Sequence, residues 1–198
     1  MRIFGIDPGS TRTGYGCVET DGRRHHLVTC GAIRALDIDS FPHRLARIHR
    51  ELTALLASCR PDCVAIENLF HATNVRSALR LGHARGVAML AAVEAGCPVV
   101  EYTPAEIKQA VVGYGRAEKH QVQHMIKLLL GLAKPPSPHD AADALAVAIC
   151  HVHSMPPARR LKPAAASVAS MPATDVGAGF SRPAKPRTWR QYRPPAIG

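Results

Sequence analysis

The order of strand-like and helix-like segments limits this chain to few folds. Residues 2–7, 13–19 and 27–34 are short apolar or alternating runs, which predict a meander of three strands. Apolar residues at helical spacing then alternate with two further short apolar runs, at 63–67 and 99–102. The helical segments are 40–60, 76–95, 104–112, 118–130 and 137–152. This order predicts an α/β fold in which helices cover a mixed sheet.

Composition divides the chain near residue 153. Residues 154–198 hold eight cations against one acid, Asp175, and eight of the 16 prolines. Of the net charge of +10, this tail carries +7 and residues 1–153 carry +3. We therefore predict a folded domain over 1–153 and a disordered, basic Pro/Ala-rich tail over 154–198. The tail is either a solubilising extension or a segment attracted to nucleic-acid phosphates.

The sequence gives no sign of a membrane protein. It contains no run of about 18 apolar residues, and its first residues include no apolar core of signal-peptide length. We expect a cytoplasmic protein whose six scattered cysteines are reduced and mostly packed in the core.

Two carboxylates end predicted strands. Asp7 ends the first strand within the sequence Asp-Pro-Gly, and Glu67 follows the apolar run 63–66. Each has a purely structural explanation, because Asp-Pro-Gly is a turn sequence and the end of a strand can simply be solvated. Strand ends of open α/β sheets are also where active sites assemble, so the two acids are candidates for such a site.

Two more carboxylates lie at the start of the last predicted helix. Ser137, Pro138 and Asp140 fit the N-cap, first and third positions of a capped helix, which would explain Asp140. Asp143 has no such explanation, because it lies among alanines on a small apolar helix. Residues three apart share a helix face, where two carboxylates repel unless a cation joins them. Oxygen ligands suit Mg²⁺ or Mn²⁺, and two such ions can hydrolyse a phosphodiester.

The helix predicted over 76–95 carries two features that could serve a partner. Arg76 and Arg80 are four residues apart, which indicates either a solvated face or an anionic partner. A stripe of small residues follows the same helix at Ala78, Gly82 and Gly86. Glycine inside a helix costs about 1 kcal/mol relative to alanine, so the stripe indicates that another element approaches closely. That element belongs either to the same chain or to a second copy across a dimer interface.

Five segments of the chain resemble one nuclease family. They are IDPGSTRTGYG, AIENLF, SALRLGHARGV, EYTPAEIKQAVVGYGRAEKHQVQHM and HDAADALAVAICH, in that order between residues 1 and 153. These segments are similar to those of the RuvC crossover-junction endodeoxyribonucleases. The resemblance implies a ribonuclease-H-like fold with a five-stranded mixed sheet flanked by helices. It implies a homodimer that resolves Holliday junctions in recombination and DNA repair by paired symmetric nicks, each leaving a 5′-phosphate and a 3′-hydroxyl.

The resemblance also assigns metal ligands and partners. The family's acids correspond here to Asp7, Glu67, Asp140 and Asp143, which implies two Mg²⁺ ions per subunit, with Mn²⁺ as a substitute. Some relatives have histidine at the third of these positions, and this chain has His139 directly before it, so a role for His139 stays open. The expected partners are a four-way DNA junction and the RuvA and RuvB branch-migration proteins.

Basic and aromatic residues complete the set that the resemblance implies. Residues beside the scissile strand correspond to Lys108 and to the catalytic Lys119. Independently of the resemblance, the spacing of Arg76 and Arg80 makes them further candidates for DNA binding. The family's aromatic residue at the junction core corresponds to Phe70. From its position in a loop after a strand, Phe70 fits core packing as well as stacking on a base.

Two other protein classes are consistent with parts of this sequence. Actin-like and sugar-kinase domains also open with an Asp-x-Gly-Ser/Thr strand and turn, but they need a second phosphate loop and usually two domains. A DNA-binding module without catalytic activity would not need Asp143 inside an alanine-rich helix.

Overall fold

The computed structural model describes residues 1–36, 40–68 and 74–156, and within these ranges it confirms the predicted α/β fold. Two predictions lie outside the described residues. One concerns Phe70, and the other concerns the tail from residue 157 onward.

The sheet is mixed, as the order of segments predicts. Its strands are β1 (Arg2–Asp7), β2 (Arg12–Thr20), β3 (His25–Arg34), β4 (Cys63–Glu67) and β5 (Val99–Tyr102). They lie in the order β3-β2-β1-β4-β5. The first three strands pair antiparallel, as a meander must, and β4 and β5 extend the other edge in parallel. A parallel neighbour requires a crossover connection, which helices provide here.

Five helices cover the sheet in the described part of the chain. They are α1 (Phe41–Cys59), α2 (Val75–Glu94), α3 (Pro104–Val112), α4 (Lys119–Leu129) and α5 (His139–Ser154). Alternation along the strands divides the core into two layers. Ile3 of β1 packs in a cluster with residues of α3, α4 and α5. Phe4 and Ile6 of the same strand pack in a second cluster with residues of α1 and α2. None of the described helices is long and apolar enough to cross a membrane.

The alanine-rich helix α5 lies directly against the backbone of the sheet. A Cβ atom at Gly5 of β1 would overlap the carbonyl oxygen of Ala144 and would lie 2.8 Å from the backbone nitrogen of Ala148. A Cβ atom at Gly14 of β2 would overlap the carbonyl oxygen of Asp140. Glycine is therefore required in both strands, and this close contact brings the first turns of α5 to the end of β1.

The predicted cap of α5 is wrong. The N-cap residue is Pro138 rather than Ser137, the helix begins at His139, and no side chain makes a capping hydrogen bond there. Proline at this position offers no side-chain acceptor, so the predicted Ser-x-x-Asp capping box does not form. Asp140 consequently lies one position closer to the helix start than predicted, and capping does not explain it.

Candidate active site

Four carboxylates gather at one edge of the sheet. β1 and β4 run parallel with Ile6 beside Ile66, so that Asp7 and Glu67 end neighbouring strands at the same edge. Gly14 of β2 is opposite Asp7, and α5 passes over Gly14 at Asp140. The topology thus brings together acids from three parts of the sequence.

Burial and neighbouring charges perturb the two strand-end acids. Burial, and then the charge of Glu67, raise the pKa of Asp7 well above that of an ordinary aspartate. The charges of Asp143 and Asp140 raise the pKa of Asp7 further, so the other three acids all lie within electrostatic reach of Asp7. Burial also raises the pKa of Glu67, although its interaction with Asp7 opposes that rise. Both strand-end carboxyls therefore lose a proton less readily than free carboxyls do.

The two acids of α5 are paired with cations. Lys119 Nζ donates to Asp143 Oδ2 at 2.6 Å, and Arg12 Nη1 lies 3.9 Å from Asp140 Oδ2. Partial burial acts to lower the pKa of Lys119, but the hydrogen bond to Asp143 and the nearby carboxylate charges together raise it. Arg12 and Lys119 are both about half exposed, so these ion pairs contribute little to stability. Either cation can therefore leave its carboxylate for another anionic group at little cost.

A pocket opens beside these groups. Glu67, Asp143, Lys108 and Lys119 line it, and apolar side chains of α3, α4 and α5 complete the lining. Both lysines that the sequence assigned to the scissile strand therefore lie at the carboxylates. Lys108 also acts to lower the pKa of Glu67 through its charge.

The chemistry of these donors suits a divalent cation, because carboxylate oxygens are the ligands that Mg²⁺ and Mn²⁺ prefer. As the side chains stand, no three of them in residues 1–36, 40–68 and 74–156 converge on a common coordination point. Instead, Lys119 and Arg12 face Asp143 and Asp140, and burial raises the pKa values of both Asp7 and Glu67. A bound cation would compensate the negative charge of these carboxylates.

The other predicted DNA-binding residues lie away from the pocket. Arg76 is exposed on α2, and the guanidinium of Arg80 lies 5.6 Å from the centroid of the Phe41 ring. Neither belongs to the residues that line the carboxylate pocket. His139 is exposed at the start of α5, where Gln123 Nε2 donates to its Nδ1 atom at 2.6 Å.

The small-residue stripe of α2 faces outward. Ala78, Gly82 and Gly86 are exposed, and within the described residues a Cβ atom at either glycine would meet nothing within 4 Å. Large apolar side chains extend this face in both directions, with exposed fractions of 76% for Val75, 59% for Leu79, 51% for Leu90 and 65% for Val93. No element in residues 1–36, 40–68 and 74–156 covers the stripe.

Arg12 is the functional neighbour that sequence reasoning missed. It stands at the start of β2, five residues after Asp7, and reaches Asp140 across the end of the sheet. The only signal in the sequence was a lone cation within the turn segment GSTRTG. Its relation to α5 depends on tertiary packing, which no local pattern contains.

Comparison with known proteins places the chain beside one family. A family model described as "Crossover junction endodeoxyribonuclease RuvC" matches residues 3–151. The crossover junction endodeoxyribonuclease RuvC of Geotalea uraniireducens is 54% identical over 154 residues, covering 78% of this chain and 90% of the relative. The Alkaliphilus oremlandii protein of the same name is 52% identical over 154 residues, covering 78% of this chain and 94% of the relative.

Solved structures give the same result. Thermus thermophilus RuvC is 36% identical, with a TM-score of 0.72, and the match covers 77% of this chain and 94% of that one. T. thermophilus RuvC in complex with a Holliday junction substrate is 34% identical, with a TM-score of 0.71 and the same coverage. The yeast mitochondrial Holliday junction resolvase Ydc2, 14% identical with a TM-score of 0.54, shares the fold alone. The predicted ribonuclease-H-like fold is confirmed, and the kinase-like and non-catalytic alternatives are excluded.

Proposed function

The chain belongs to the RuvC family of crossover junction endodeoxyribonucleases, and from this membership we propose how its site acts on DNA. The protein is a divalent-metal-dependent endonuclease that resolves Holliday junctions in recombination and DNA repair. The observation that carries this function is the cluster of four carboxylates beside Lys108 and Lys119, in which the other three acids all act on the buried Asp7. A non-catalytic domain would gain nothing from burying so much like charge.

The four acids would hold two Mg²⁺ ions in each subunit, and Mn²⁺ could replace them. Asp7 and Glu67 would contribute ligands from the strand ends, and Asp140 and Asp143 from the first turns of α5. When bound, such a pair of ions activates the attacking water and stabilises the leaving oxygen of phosphodiester hydrolysis. The products would be a 5′-phosphate and a 3′-hydroxyl.

Lys119 and Lys108 would hold the scissile strand. A cation bound at Asp143 would compete with Lys119 for that carboxylate, and a released Lys119 ammonium would be available for a DNA phosphate. Lys108 lines the same pocket and can contact a neighbouring phosphate. We therefore assign Lys119 to catalysis and Lys108 to binding of the DNA backbone.

A homodimer would deliver the two nicks. Two symmetric cuts need two sites related by a two-fold axis, which an isologous interface provides. We place this interface on α2, because Ala78, Gly82 and Gly86 let two helices approach and the flanking apolar side chains are exposed. This patch has no covering element among the described residues.

Other roles follow from the family or from the sequence and not from contacts. We propose that RuvA and RuvB are partners, that Arg76 and Arg80 bind arms of the junction, and that Phe70 lies at the junction core. We propose a cytoplasmic location, a nuclease domain over residues 1–153 and an accessory tail over 154–198.

A chain that ends after Pro156 keeps the buried Met155 and should fold and resolve junctions, with a weaker salt dependence of binding. Loss of cleavage by this folded, shortened chain would contradict the division.

The test of function is cleavage of a labelled four-way junction with Mg²⁺, analysed on a denaturing gel for each strand in turn. We expect nicks at symmetric positions on two opposing strands, which a ligase can seal, and no cutting in EDTA. A linear duplex that carries the same sequences is the matched control and should remain intact. Equal cutting of the duplex, or no cutting of either substrate, would reject the proposed function.

A further inference from the structure

Three arginines that the proposed mechanism does not use form a basic patch on the far side of the carboxylates from Lys108 and Lys119. Arg12 begins β2 and Arg34 ends β3, and Arg47 lies on α1. Together with Leu36, whose exposed fraction is 62%, they line an open cavity. Because β2 and β3 are antiparallel, Arg12 and Arg34 both lie at the edge of the sheet that carries Asp7.

The patch places like charges side by side. Arg12 and Arg34 are direct partners in the β2–β3 register, a position where like charges destabilise a sheet. The contact of Arg12 with Asp140 is 3.9 Å, which is longer than a hydrogen bond, and Arg47 is paired with Glu51 on its own helix. Arg12 and Arg34 therefore bring two positive charges together at this edge of the sheet, an arrangement that a bound anion would relieve.

The sheet itself sets the distance from the patch to the site of cleavage. Neighbouring strands are about 4.8 Å apart, so Arg34 on β3 lies two strand spacings across the sheet from Asp7 on β1 and two residues further along it, roughly 12 Å in all. Successive phosphates of one duplex strand rise by about 3.4 Å along the axis and rotate around it, which puts them roughly 7 Å apart in space. A strand whose scissile phosphate lies at the carboxylates would therefore bring a phosphate about two nucleotides away, or about three with the reach of an arginine side chain, to the arginines.

We propose that Arg12, Arg34 and Arg47 form a second phosphate-binding subsite, which holds the cleaved strand roughly two to three nucleotides from the scissile phosphate. The proposal rests on the proposed function, since the anion is the DNA backbone of the junction. With Lys108 and Lys119 on the opposite side, the strand is held on both sides of the cut. Binding of this kind fixes the position of the scissile bond without reading its sequence.

The first experiment compares Arg34→Gln and Arg47→Gln with the parent chain. Arg12 is left unchanged because it contacts Asp140. The matched control is Arg50→Gln, which removes one exposed cation from the same helix as Arg47 outside the cavity. Binding of a labelled junction is measured in Ca²⁺ at four salt concentrations. We expect each of the two variants to lower the slope of log K against log salt by about 0.7 to 0.9, and the control to leave it unchanged.

The second experiment locates the phosphate. Single phosphates of the cleaved strand are replaced by uncharged methylphosphonates, and each modified junction is titrated with the parent and with Arg34→Gln. At two to three nucleotides from the cut, the two changes should be non-additive, because either one alone removes the same contact. At all other positions their effects should add. Arg34→Lys, which keeps the charge, should behave as the parent in the salt titration.

The two experiments distinguish results that reject the subsite from results that reject the proposed function. A parent chain that cuts the junction, combined with an Arg34→Gln protein that binds it like the parent at every salt concentration, would overturn the subsite alone. Additive effects at every phosphate would overturn it as well. If Arg34→Gln does not fold, as judged by a melting curve, the same two measurements on Arg47→Gln decide the question. A parent chain that neither binds nor cuts the junction would reject the proposed function instead.

Discussion

Glycines in the sheet pack against a helix of the same chain, whereas glycines on α2 face outward. Gly5 and Gly14 admit α5 to the backbone of β1 and β2, where any Cβ atom would overlap a carbonyl oxygen of the helix. Gly82 and Gly86 of α2 instead face outward, with no described atom within 4 Å of a Cβ atom added there. The first contact is filled by the chain's own helix and brings acids to the strand ends. The second is left open, and we assign it to another copy of the chain.

The comparison shows that a glycine can indicate that another element packs closely against it, but does not identify that element. In the sheet, the close contact between β1, β2 and α5 fixes where Asp140 and Asp143 stand relative to Asp7. On α2, the same residue type leaves an exposed apolar face, which costs solubility unless it is covered. Substitutions that add a side chain should therefore have opposite consequences in the two places.

The largest effect is expected for Gly5→Ala. The added methyl group would collide with the backbone of Ala144 and Ala148, which can move only if α5 shifts away from the sheet. We expect a loss of about 3 kcal/mol or more in the free energy of unfolding, at the upper end of overpacking effects. The matched control is Gly115→Ala, where the nearest described atom to an added Cβ is at 3.5 Å, an ordinary contact, and which should change stability by less than about 0.5 kcal/mol. Urea unfolding of both variants measures the difference, and equal stabilities would contradict the close packing of α5.

The next effect in size concerns the acids that this packing brings together. Asp143→Asn keeps the shape of the side chain but removes a negative ligand, so we expect cleavage in Mg²⁺ to fall by at least about 100-fold. Junction affinity in Ca²⁺ should stay within a few-fold of the parent, because DNA binding depends on lysine and arginine contacts to phosphates. Asp7→Asn and Glu67→Gln should behave in the same way.

Asp140→Asn should behave like these variants. The sequence suggested that Asp140 caps α5, but it does not, so its loss should affect cleavage as the loss of a metal ligand does. Glu94→Gln removes a carboxylate at the end of α2 and serves as the control that should cut normally. Near-parental cleavage by a folded Asp143→Asn protein would contradict the assignment of the metal ligands.

The third effect changes the assembly and leaves the fold of the protomer intact. Gly82→Leu puts a large side chain into the outward-facing stripe of α2, which meets no described atom of the same chain. We expect the variant to fold and to become monomeric at low micromolar concentration, because the two backbones can no longer approach. Ala54→Leu, at an exposed position of α1, is the control and should remain dimeric. If light scattering shows a dimer for both, the interface lies elsewhere.

Much of the fold could be predicted because it depends on local patterns. Strand alternation and helical spacing located all the described elements within about two residues. Asp143 could be identified because a charge is rare on an alanine-rich helix. The N-cap residue of α5 could not be predicted, because a Ser-Pro sequence is compatible with either residue as the N-cap. The pairing of Arg12 with Asp140, and the need for glycine in β1 and β2, arise only when distant segments pack together.

The smallest expected effect is a pH dependence of stability, which should arise at the buried carboxylates. Burial and the charge of Glu67 raise the pKa of Asp7, so the folded chain holds a proton that the unfolded chain releases near pH 4. Stability from this proton is complete below pH 4 and is lost as pH rises through the raised pKa. Asparagine at this position carries no charge at any pH. In EDTA, Asp7→Asn should therefore melt a few degrees above the parent at pH 8, with a smaller gap at pH 5.

Saturating Mn²⁺ should reverse the order at pH 8, because the parent gains stability from an ion that the variant binds poorly. Glu19→Gln, on the strand β2 and paired with Arg2, whose charge is the same at pH 5 and pH 8, should follow the parent in all of these conditions. The measurement is a thermal melt of the three proteins at both pH values, with and without the ion. A gap between Asp7→Asn and the parent that is the same at pH 5 and pH 8 would mean that burial and the charge of Glu67 do not raise the pKa of Asp7 in the folded chain.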